Sequence, residues 1–359
     1  MRVGIIGYGL AGRVFHGRLL AASNDADVVA VVTRDPGRAA QARSDFPRAA
    51  CFDTVEAMLA DTVLDLAVVA TATPDHLAST LACLKARVAT VVDKPFAPSA
   101  AQARQILDAA GDTPLTVFQN RRWDGDQLTL RRLLGEERLG PVLRYESRLE
   151  RWRPLADPDR WRDRLGAAQG GGVLADLGSH LIDQALMLFG PPRSVYAEVD
   201  HRRSAGAPGG VAEGDDLPPD DDVFVALEHA GGTRSHLWCS AVAATAGPRL
   251  RVLGADAGFV VDDVDGQEDA LRAGIPATQA QPQAAWLVRG AEREAVDPSP
   301  GRWDGFYPAV FVALRDGTPM PVDPVDALRT MEVIDAARRS AASGEVVRMG
   351  ENGTGPPGR

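Results

Sequence analysis

The chain opens with Arg2-Val-Gly-Ile-Ile-Gly7-Tyr-Gly-Leu-Ala-Gly12, and this stretch decides the fold of its first third. An apolar run typical of a buried strand leads into three glycines spaced Gly-x-Gly-x-x-Gly, and a helical pattern then continues to Leu20. In that setting one glycine permits a tight turn, one lets backbone approach a pyrophosphate, and one lets helix and strand pack closely. The helix N-terminus adds free N–H groups and a partial positive charge. A glycine turn without a ligand is the alternative, but the strand and helix on either side favour a dinucleotide site at Gly7, Tyr8, Gly9, Leu10, Ala11 and Gly12.

The hydrophobic pattern divides the chain into two regions. Apolar runs at 27–32, 65–72, 89–92 and 115–118 alternate with helical segments at 39–44, 55–60, 80–85 and 101–110. This alternation predicts βαβ units on a parallel sheet, that is, an α/β Rossmann domain over residues 1–120. Thr54 and Ser99 are expected to cap two of its helices.

The second region, residues 121–349, has a different pattern. It predicts helices at 127–134, 172–189, 306–314 and 325–343, and strands at 142–150, 195–201, 223–228, 234–239, 250–253 and 258–262. Residues 205–222 are expected to form an exposed loop and 350–359 a flexible tail, while 270–300 lacks a clear pattern.

Bulk properties exclude several classes of function. A net charge of -10 without a basic stripe argues against nucleic acid as the main partner. No segment reaches the roughly 20 apolar residues of a membrane span, and none resembles a signal peptide. Three distant cysteines, Cys51, Cys83 and Cys239, suggest free thiols in a reducing cytoplasm and no zinc site.

The end of the second strand bears on the choice of cofactor. An NAD site usually places an acidic residue there, but this strand ends in Val32-Thr33-Arg34-Asp35. Arg34 could pair with the 2′-phosphate of NADP, assisted by Arg38. NADP is therefore favoured, and NAD is the alternative if Asp35 reaches back to the ribose.

Asp93-Lys94-Pro95 ends a strand predicted to be buried. Ligands of parallel sheets bind outside the carboxyl ends of the strands, so Lys94 is expected to point toward a nicotinamide. A surface lysine is the alternative, but the apolar strand before it favours a functional role.

Asp176 and His180 are four residues apart on an otherwise apolar predicted helix. That spacing puts them on one face, and buried polar groups need partners. They could satisfy each other, or His180 could exchange a substrate proton while Asp176 orients the imidazole. The preceding run Gly170-Gly171-Gly172 favours the second role, because it would let the helix begin close to a ligand. No third ligand is nearby, so no metal is predicted.

Together these segments resemble the Gfo/Idh/MocA oxidoreductase family, over nearly the whole chain. The glycine turn resembles its cofactor motif, Asp93-Lys94-Pro95 its Glu-Lys-Pro signature, and Gly172-x-x-x-Asp176-x-Gly178-x-His180 its second-domain signature. The segments 13–16 and 118–124 are most similar to the NADP-dependent scyllo-inositol dehydrogenase-like branch. The resemblance implies a C-terminal α/β domain with a large, mostly antiparallel sheet, which would form a homodimer or homotetramer. It also implies further cofactor neighbours, namely Thr71, Thr73, Pro74, His76, Asp93, Asn120, Arg121 and Trp123.

The activity implied is reversible oxidation of a secondary hydroxyl on a polyol, sugar or inositol. Lys94, Asp176 and His180 would be the catalytic residues. Trp123, Arg151 and Trp161, with Trp152 and Arg153, would line the substrate pocket or serve only in packing. The alternatives are a regulator that senses NADP or a sugar without turnover, and a reductase of a nucleotide-sugar or of another carbonyl or imine.

Overall fold

A computed structural model of the chain describes residues 1–157, 159–203 and 218–350. Most of the predicted loop at 205–222 and nearly all of the predicted tail lie outside the described residues. No helix in the described ranges is long and apolar enough to cross a membrane.

The first part of the chain forms a six-stranded parallel sheet. Its order, β3-β2-β1-β4-β5-β6, is that of a Rossmann domain, and the predicted fold of this region is confirmed. The sheet is apolar on both sides, as expected when helices cover both faces. The strands are β1 (Arg2–Ile6), β2 (Asp27–Val32), β3 (Ala50–Phe52), β4 (Leu66–Val69), β5 (Ala89–Asp93) and β6 (Leu115–Phe118).

Two helices of this region begin at the cap residues that the sequence predicts. Thr54 and Ser99 accept hydrogen bonds from the backbone N–H groups of Ala57 and Gln102, so both predicted caps are confirmed. The first helix differs from expectation, because it begins as a π-helical segment, Ala11–Gly17. The α-helices are α1 (Arg18–Ala21), α2 (Pro36–Asp45), α3 (Val55–Asp61), α4 (His76–Lys85) and α5 (Ala100–Ala110).

The second part forms a nine-stranded sheet that is antiparallel except for the pairing of its first and fourth strands along the chain. Its order is β14-β13-β12-β11-β7-β10-β9-β8-β15, and the implied mostly antiparallel sheet is confirmed. Alternate residues of β9 are buried, so only one face of the sheet is covered. The strands are β7 (Val142–Glu150), β8 (Pro192–Asp200), β9 (Asp222–His229), β10 (Arg234–Ser240), β11 (Leu250–Gly254), β12 (Gly258–Val261), β13 (Ala285–Arg289), β14 (Glu292–Val296) and β15 (Val347–Arg348).

Two helices of this part cover that face, and a third packs on the Rossmann sheet. The helices are α6 (Gly125–Gly135), α7 (Ser179–Phe189), α8 (Gln267–Ala273), α9 (Phe306–Asp316) and α10 (Pro324–Ser343). α7 and α10 lie on the sheet, whereas Phe306, Tyr307 and Phe311 of α9 belong to the core that contains Ile5 and Val68. The boundary at residue 120 stays a prediction, and the chain returns to the first sheet after forming the second.

Two sequence expectations differ from the structure. The single helix expected at 172–189 is a π-helical segment, Leu174–Gly178, followed by α7. The unpatterned region at 270–300 contains the hairpin β13–β14, whose second strand is too exposed to show a hydrophobic period.

Candidate active site

A cleft of about 520 Å³ runs between the carboxyl edge of the Rossmann sheet and the second region. Both the glycine turn and the predicted catalytic residues line it. Of the residues that the sequence singled out, the cleft is lined by Gly7, Gly9, Leu10, Ala11, Arg38, Thr71, Asp93, Lys94, Asn120, Arg121, Arg151, Arg153, Trp161, Asp176 and His180.

The glycine turn fits the pyrophosphate of a dinucleotide. Gly7 has a φ of 91°, which favours glycine. A Cβ on Gly12 would lie 1.9 Å from the carbonyl oxygen of Gly7, so only glycine allows this helix to pack on the strand. At Gly9 the nearest atom to an added Cβ is an Arg38 nitrogen 3.8 Å away, which leaves room for a ligand. Tyr8 instead turns away and donates a hydrogen bond to Asp45 at 2.9 Å.

The residues considered for cofactor choice, which follow β2, differ in their position relative to the cleft. Arg38 lines the cleft although its side chain is exposed, whereas Arg34, also exposed, and the half-buried Thr33 are not among the cleft residues. The Asp35 carboxylate accepts a hydrogen bond from the backbone N–H of Arg38 at 2.9 Å and so caps α2. This cap competes with the alternative in which Asp35 binds a ribose.

Lys94 lines the cleft at the end of β5. Its Nζ donates to the side-chain Oδ1 of Asp176 at 2.9 Å and to the backbone oxygen of the same residue at 3.0 Å. The Lys94–Pro95 peptide bond is cis. The cleft therefore joins a lysine of the Rossmann domain to a carboxylate of the second region.

The buried Asp93 beside Lys94 has a neighbour that sequence reasoning did not assign to the site. His16 is fully buried, with Nε2 3.6 Å from Asp93 Oδ1 and Nδ1 2.6 Å from the Tyr307 hydroxyl. Burial alone would raise the pKa of Asp93, but His16, Lys94 and His76 together hold it below its usual value. In the sequence, His16 was marked only as part of the segment 13–16, which resembles the scyllo-inositol dehydrogenase-like branch.

The segment 73–76, Thr-Pro-Asp-His, lies behind the cleft. His76 is buried, and its ring nitrogens lie 3.0 Å from the Pro95 oxygen and 3.2 Å from the Thr71 oxygen. Thr73 and Pro74 form the short 3-10 turn before it, Thr73–Asp75. His76 therefore braces the loop that follows Lys94 instead of facing the cleft.

Asp176 does not orient His180 in the way the sequence suggested. Its Oδ1 accepts a hydrogen bond from Lys94 Nζ at 2.9 Å and lies 3.0 Å from Arg162 Nε, an ion contact. Burial opposes ionisation, but the charges of Arg162 and Lys94 outweigh it and hold the pKa of Asp176 well below its usual range. The expected i,i+4 face is altered because Asp176 lies in a π-helical segment, where the turn is wider.

His180 is buried at the inner end of the cleft. Its Nδ1 has no hydrogen-bond partner among the residues that the structure describes. Burial, followed by the positive charges of Lys94 and Arg121, holds the pKa of His180 well below its usual value. A neutral imidazole with a free nitrogen can accept a proton.

The glycines at 170–172 pack against protein, contrary to the expectation that they admit a ligand. A Cβ on Gly170 would lie 2.7 Å from the Thr73 side chain, and one on Gly172 would lie 2.2 Å from Asp220. Asp220 also accepts the backbone N–H of Leu174 at 2.7 Å. The glycines thus let a neighbouring loop approach the start of the π-helical segment.

Of the three residues predicted at the junction of the two regions, Asn120 and Arg121 line the cleft and Trp123 does not. Arg121 bonds Asp124 at 3.1 Å and Glu268 at 2.8 Å and, like Asn120, lines the cleft. Trp123 packs edge-on against Phe306 and is not among the cleft residues.

One side of the cleft is formed by the segment after β7. Arg151, Arg153 and Trp161 line it, together with Arg160 and Arg162, which sequence reasoning missed. Trp152 is 59% exposed and is not among the cleft residues. Among the described residues, no group of three or more His, Cys, Asp or Glu is placed to hold a metal ion.

Two family descriptions match successive parts of the chain. The oxidoreductase family with an NAD-binding Rossmann fold matches residues 1–120, and the GFO/IDH/MocA C-terminal domain matches residues 127–260.

Known proteins match along almost the full length. A scyllo-inositol 2-dehydrogenase (NADP(+)), IolW, from Bacillus subtilis is 30% identical, with 97% of this chain and 96% of that protein covered. The structure of the oxidoreductase yvaA from Bacillus subtilis superposes with a TM-score of 0.85 at 30% identity, covering 97% of this chain and 98% of that one. A trans-1,2-dihydrobenzene-1,2-diol dehydrogenase from Sus scrofa is 29% identical over 67% of this chain and 68% of its own. With its glycine turn, Lys94 and His180 on one cleft, the chain belongs to the Gfo/Idh/MocA family and is an NAD(P)-dependent dehydrogenase acting on CH–OH groups.

Proposed function

We propose that this dehydrogenase interconverts a secondary hydroxyl and a ketone on a polyol, sugar or inositol, and that it uses NADP in preference to NAD. The observation that carries the proposal is the meeting of Lys94, Asp176 and His180 in the cleft that the glycine turn also lines. The relatives named for inositol and diol substrates support the substrate class, and Arg38 at the cleft supports NADP.

The chain's own residues account for proton transfer and orientation. A bound nicotinamide supplies the hydride acceptor at its C4. The neutral His180 takes the hydroxyl proton as the carbon–hydrogen bond breaks. Lys94 donates a hydrogen bond to the same oxygen and stabilises its developing negative charge. Asp176 holds the ammonium group of Lys94 in place, and Arg162 contacts the same carboxylate oxygen, each at about 3 Å.

Replacement of Lys94 tests the proposal. The chain has only one other lysine, the exposed Lys85 at the end of α4, and Lys85→Ala is the matched control. Inositols, aldoses and ketoses are first screened with NADP(H) and NAD(H) to find a substrate. We expect Lys94→Ala to slow single-turnover hydride transfer by about 100-fold or more, within the range for loss of an oxyanion donor. A full rate in Lys94→Ala on a true substrate would exclude the role given to Lys94, and cofactor binding without any turnover would favour the regulator.

We also propose a cytoplasmic homodimer or homotetramer formed through the uncovered face of the nine-stranded sheet. The three free cysteines support a reducing compartment. Phe224, His236 and Trp238 form a half-buried aromatic group on that face, and Arg148 stacks over Trp238 at 3.8 Å. Sedimentation of the wild type and of Trp238→Glu tests the interface, and a monomeric wild type would exclude it.

A further inference from the structure

An unusual concentration of arginine lines the side of the cleft that the segment after β7 forms. Four arginines from one short segment, Arg151, Arg153, Arg160 and Arg162, lie along the same cavity as Lys94. The chain as a whole is acidic, with a net charge of -10, so this local positive charge is not a reflection of composition.

Some of these cations are neutralised by protein carboxylates. Arg162 contacts Asp176, as described. Arg151 lies 3.6 Å from Glu268, which also receives Arg121 and Arg272 at 2.8 Å each. These cations hold the pKa of Glu268 at about 2 although burial opposes ionisation. One carboxylate is therefore shared by three guanidinium groups.

Arg153 and Arg160 have no such partner among the residues that the structure describes. Neither side chain lies within 4.0 Å of a carboxylate in the ranges 1–157, 159–203 and 218–350. Partial burial and the nearby charges of Arg151 and Arg160 lower the pKa of Arg153, as expected where like charges converge. Among the described residues of the segment 151–162, Asp159 contributes the one carboxylate that lines the cleft. The cations along the cleft therefore outnumber the carboxylates.

We propose that the substrate is a polyol or sugar that carries an anionic group, a carboxylate or a phosphate, and that Arg153 and Arg160 bind this group. The inference rests on the proposed function, because the reacting hydroxyl is assigned to Lys94 and His180. Guanidinium groups offer forked donors that match carboxylate and phosphate oxygens. The anionic group takes no part in the bond changes: the hydride leaves the carbinol carbon, the proton goes to His180, and the charge only anchors the molecule.

Matched substrates separate the anionic group from the rest of the molecule. Glucose, glucuronate and glucose phosphorylated at its primary hydroxyl form one set, and myo-inositol and its monophosphate form another. Steady-state kinetics with NADP(H) are measured for the wild type, Arg153→Gln/Arg160→Gln and the charge-retaining Arg153→Lys/Arg160→Lys. Arg48→Gln, on an exposed pair with Asp27, is the control.

The inference makes a quantitative prediction. Hydrogen bonds to charged groups contribute enough that an anionic member should exceed its neutral parent in kcat/KM by about 10- to 100-fold. The double Gln variant should lose that advantage mainly through KM, and the Lys variant should recover part of it. A preference for the carboxylate or for the phosphate then identifies which anion the site binds.

Two results would overturn the inference. One is equal kcat/KM for anionic and neutral members, and the other is an anionic advantage that survives in the double Gln variant. If no compound turns over, calorimetric titration of the NADP complex with the same compounds gives the answer. Tighter binding of the anionic members that is lost in the Gln variant would retain the inference and reject the dehydrogenase proposal. Equal binding would reject the inference.

Discussion

The carboxylate of Asp176 is the group on which the catalytic geometry depends, and Asp176→Asn tests this dependence. The substitution keeps the shape of the side chain but removes the charge that lies between Lys94 Nζ, at 2.9 Å, and Arg162 Nε, at 3.0 Å. Both cations contact the same oxygen, Oδ1, and an amide oxygen there carries only a partial negative charge, so the repulsion between Lys94 and Arg162 is compensated less than in the wild type.

The expected loss follows from the environment of this ion pair. The side chains of Lys94 and Asp176 are 13% and 19% exposed, so their interaction exceeds that of an ordinary surface pair. A hydrogen bond to a charged group contributes about 1.5–3 kcal/mol. If about 2 kcal/mol of this orients Lys94 in the transition state, hydride transfer slows by about 30-fold, at about 1.36 kcal/mol per factor of ten.

Single-turnover formation of the reduced nicotinamide, followed by absorbance in a stopped-flow instrument, measures this rate. A kinetic isotope effect with substrate deuterated at the carbinol carbon shows whether hydride transfer limits it. Asp27→Asn is the control, because Asp27 pairs with Arg48 at 2.8 Å on the surface. A folded Asp176→Asn with the wild-type rate would refute the role assigned to the carboxylate.

The same substitution has a pH signature in the free energy of unfolding. The folded-state pKa of Asp176 is depressed, so its ion pairs stabilise the fold above the unfolded value of about 3.9. This contribution is lost as the pH falls through the folded-state pKa. The stability difference between wild type and Asp176→Asn should therefore be constant near neutrality and shrink below about pH 4.

Three further predictions concern the base, the cofactor and the glycine turn. The pKa of His180 is depressed, so the acid limb of the pH profile of kcat/KM for oxidation should have an apparent pKa below the ordinary histidine value of about 6.5. An apparent pKa above that value would contradict a neutral base. Arg38→Gln should raise KM for NADP and leave KM for NAD unchanged, while Arg34→Gln should raise KM for NADP less, as measured by initial rates. Gly12→Ala should abolish NADP binding in a fluorescence titration and lower the free energy of unfolding in urea by about 1–3 kcal/mol, because its Cβ would meet a carbonyl oxygen. Gly135→Ala is the control, since its Cβ would meet nothing within 4 Å.

The Rossmann half was predictable because its signals are local. The glycine turn, the apolar strands and the caps at Thr54 and Ser99 each lie within a few residues of the feature that they determine. Strand order follows from the general rules for such units. In the second sheet the parallel pairing of β7 with β10 joins residues about 90 positions apart, and no local pattern encodes it.

The site was predictable only where a residue acts from a strand end or a motif. Lys94 follows a buried strand, and His180 lies on an apolar helix, so their types and places suggested their roles. The partners of Asp176 did not follow from spacing, because the π-helical segment breaks the i,i+4 rule, Lys94 lies 82 residues away, and Arg162 comes from a separate 3-10 turn. His16 was missed for a similar reason, since its contact, Tyr307, is 291 residues away.

These long-range contacts imply that the catalytic geometry depends on how the two regions are joined. Lys94 belongs to the first sheet, but its charge partner belongs to the segment that precedes α7. The next residues of α7 are fixed to the junction by Arg122, whose Nε and Nη2 bind both oxygens of Asp183 at 2.8 and 2.7 Å. On the other side, α9 reaches the buried Asp93 through Tyr307 and His16. Because Asp93 is adjacent to Lys94 and Asp183 lies in the helix that directly follows the segment of Asp176, a loosened junction would displace the lysine and its carboxylate relative to each other, and activity would fall before the fold was lost.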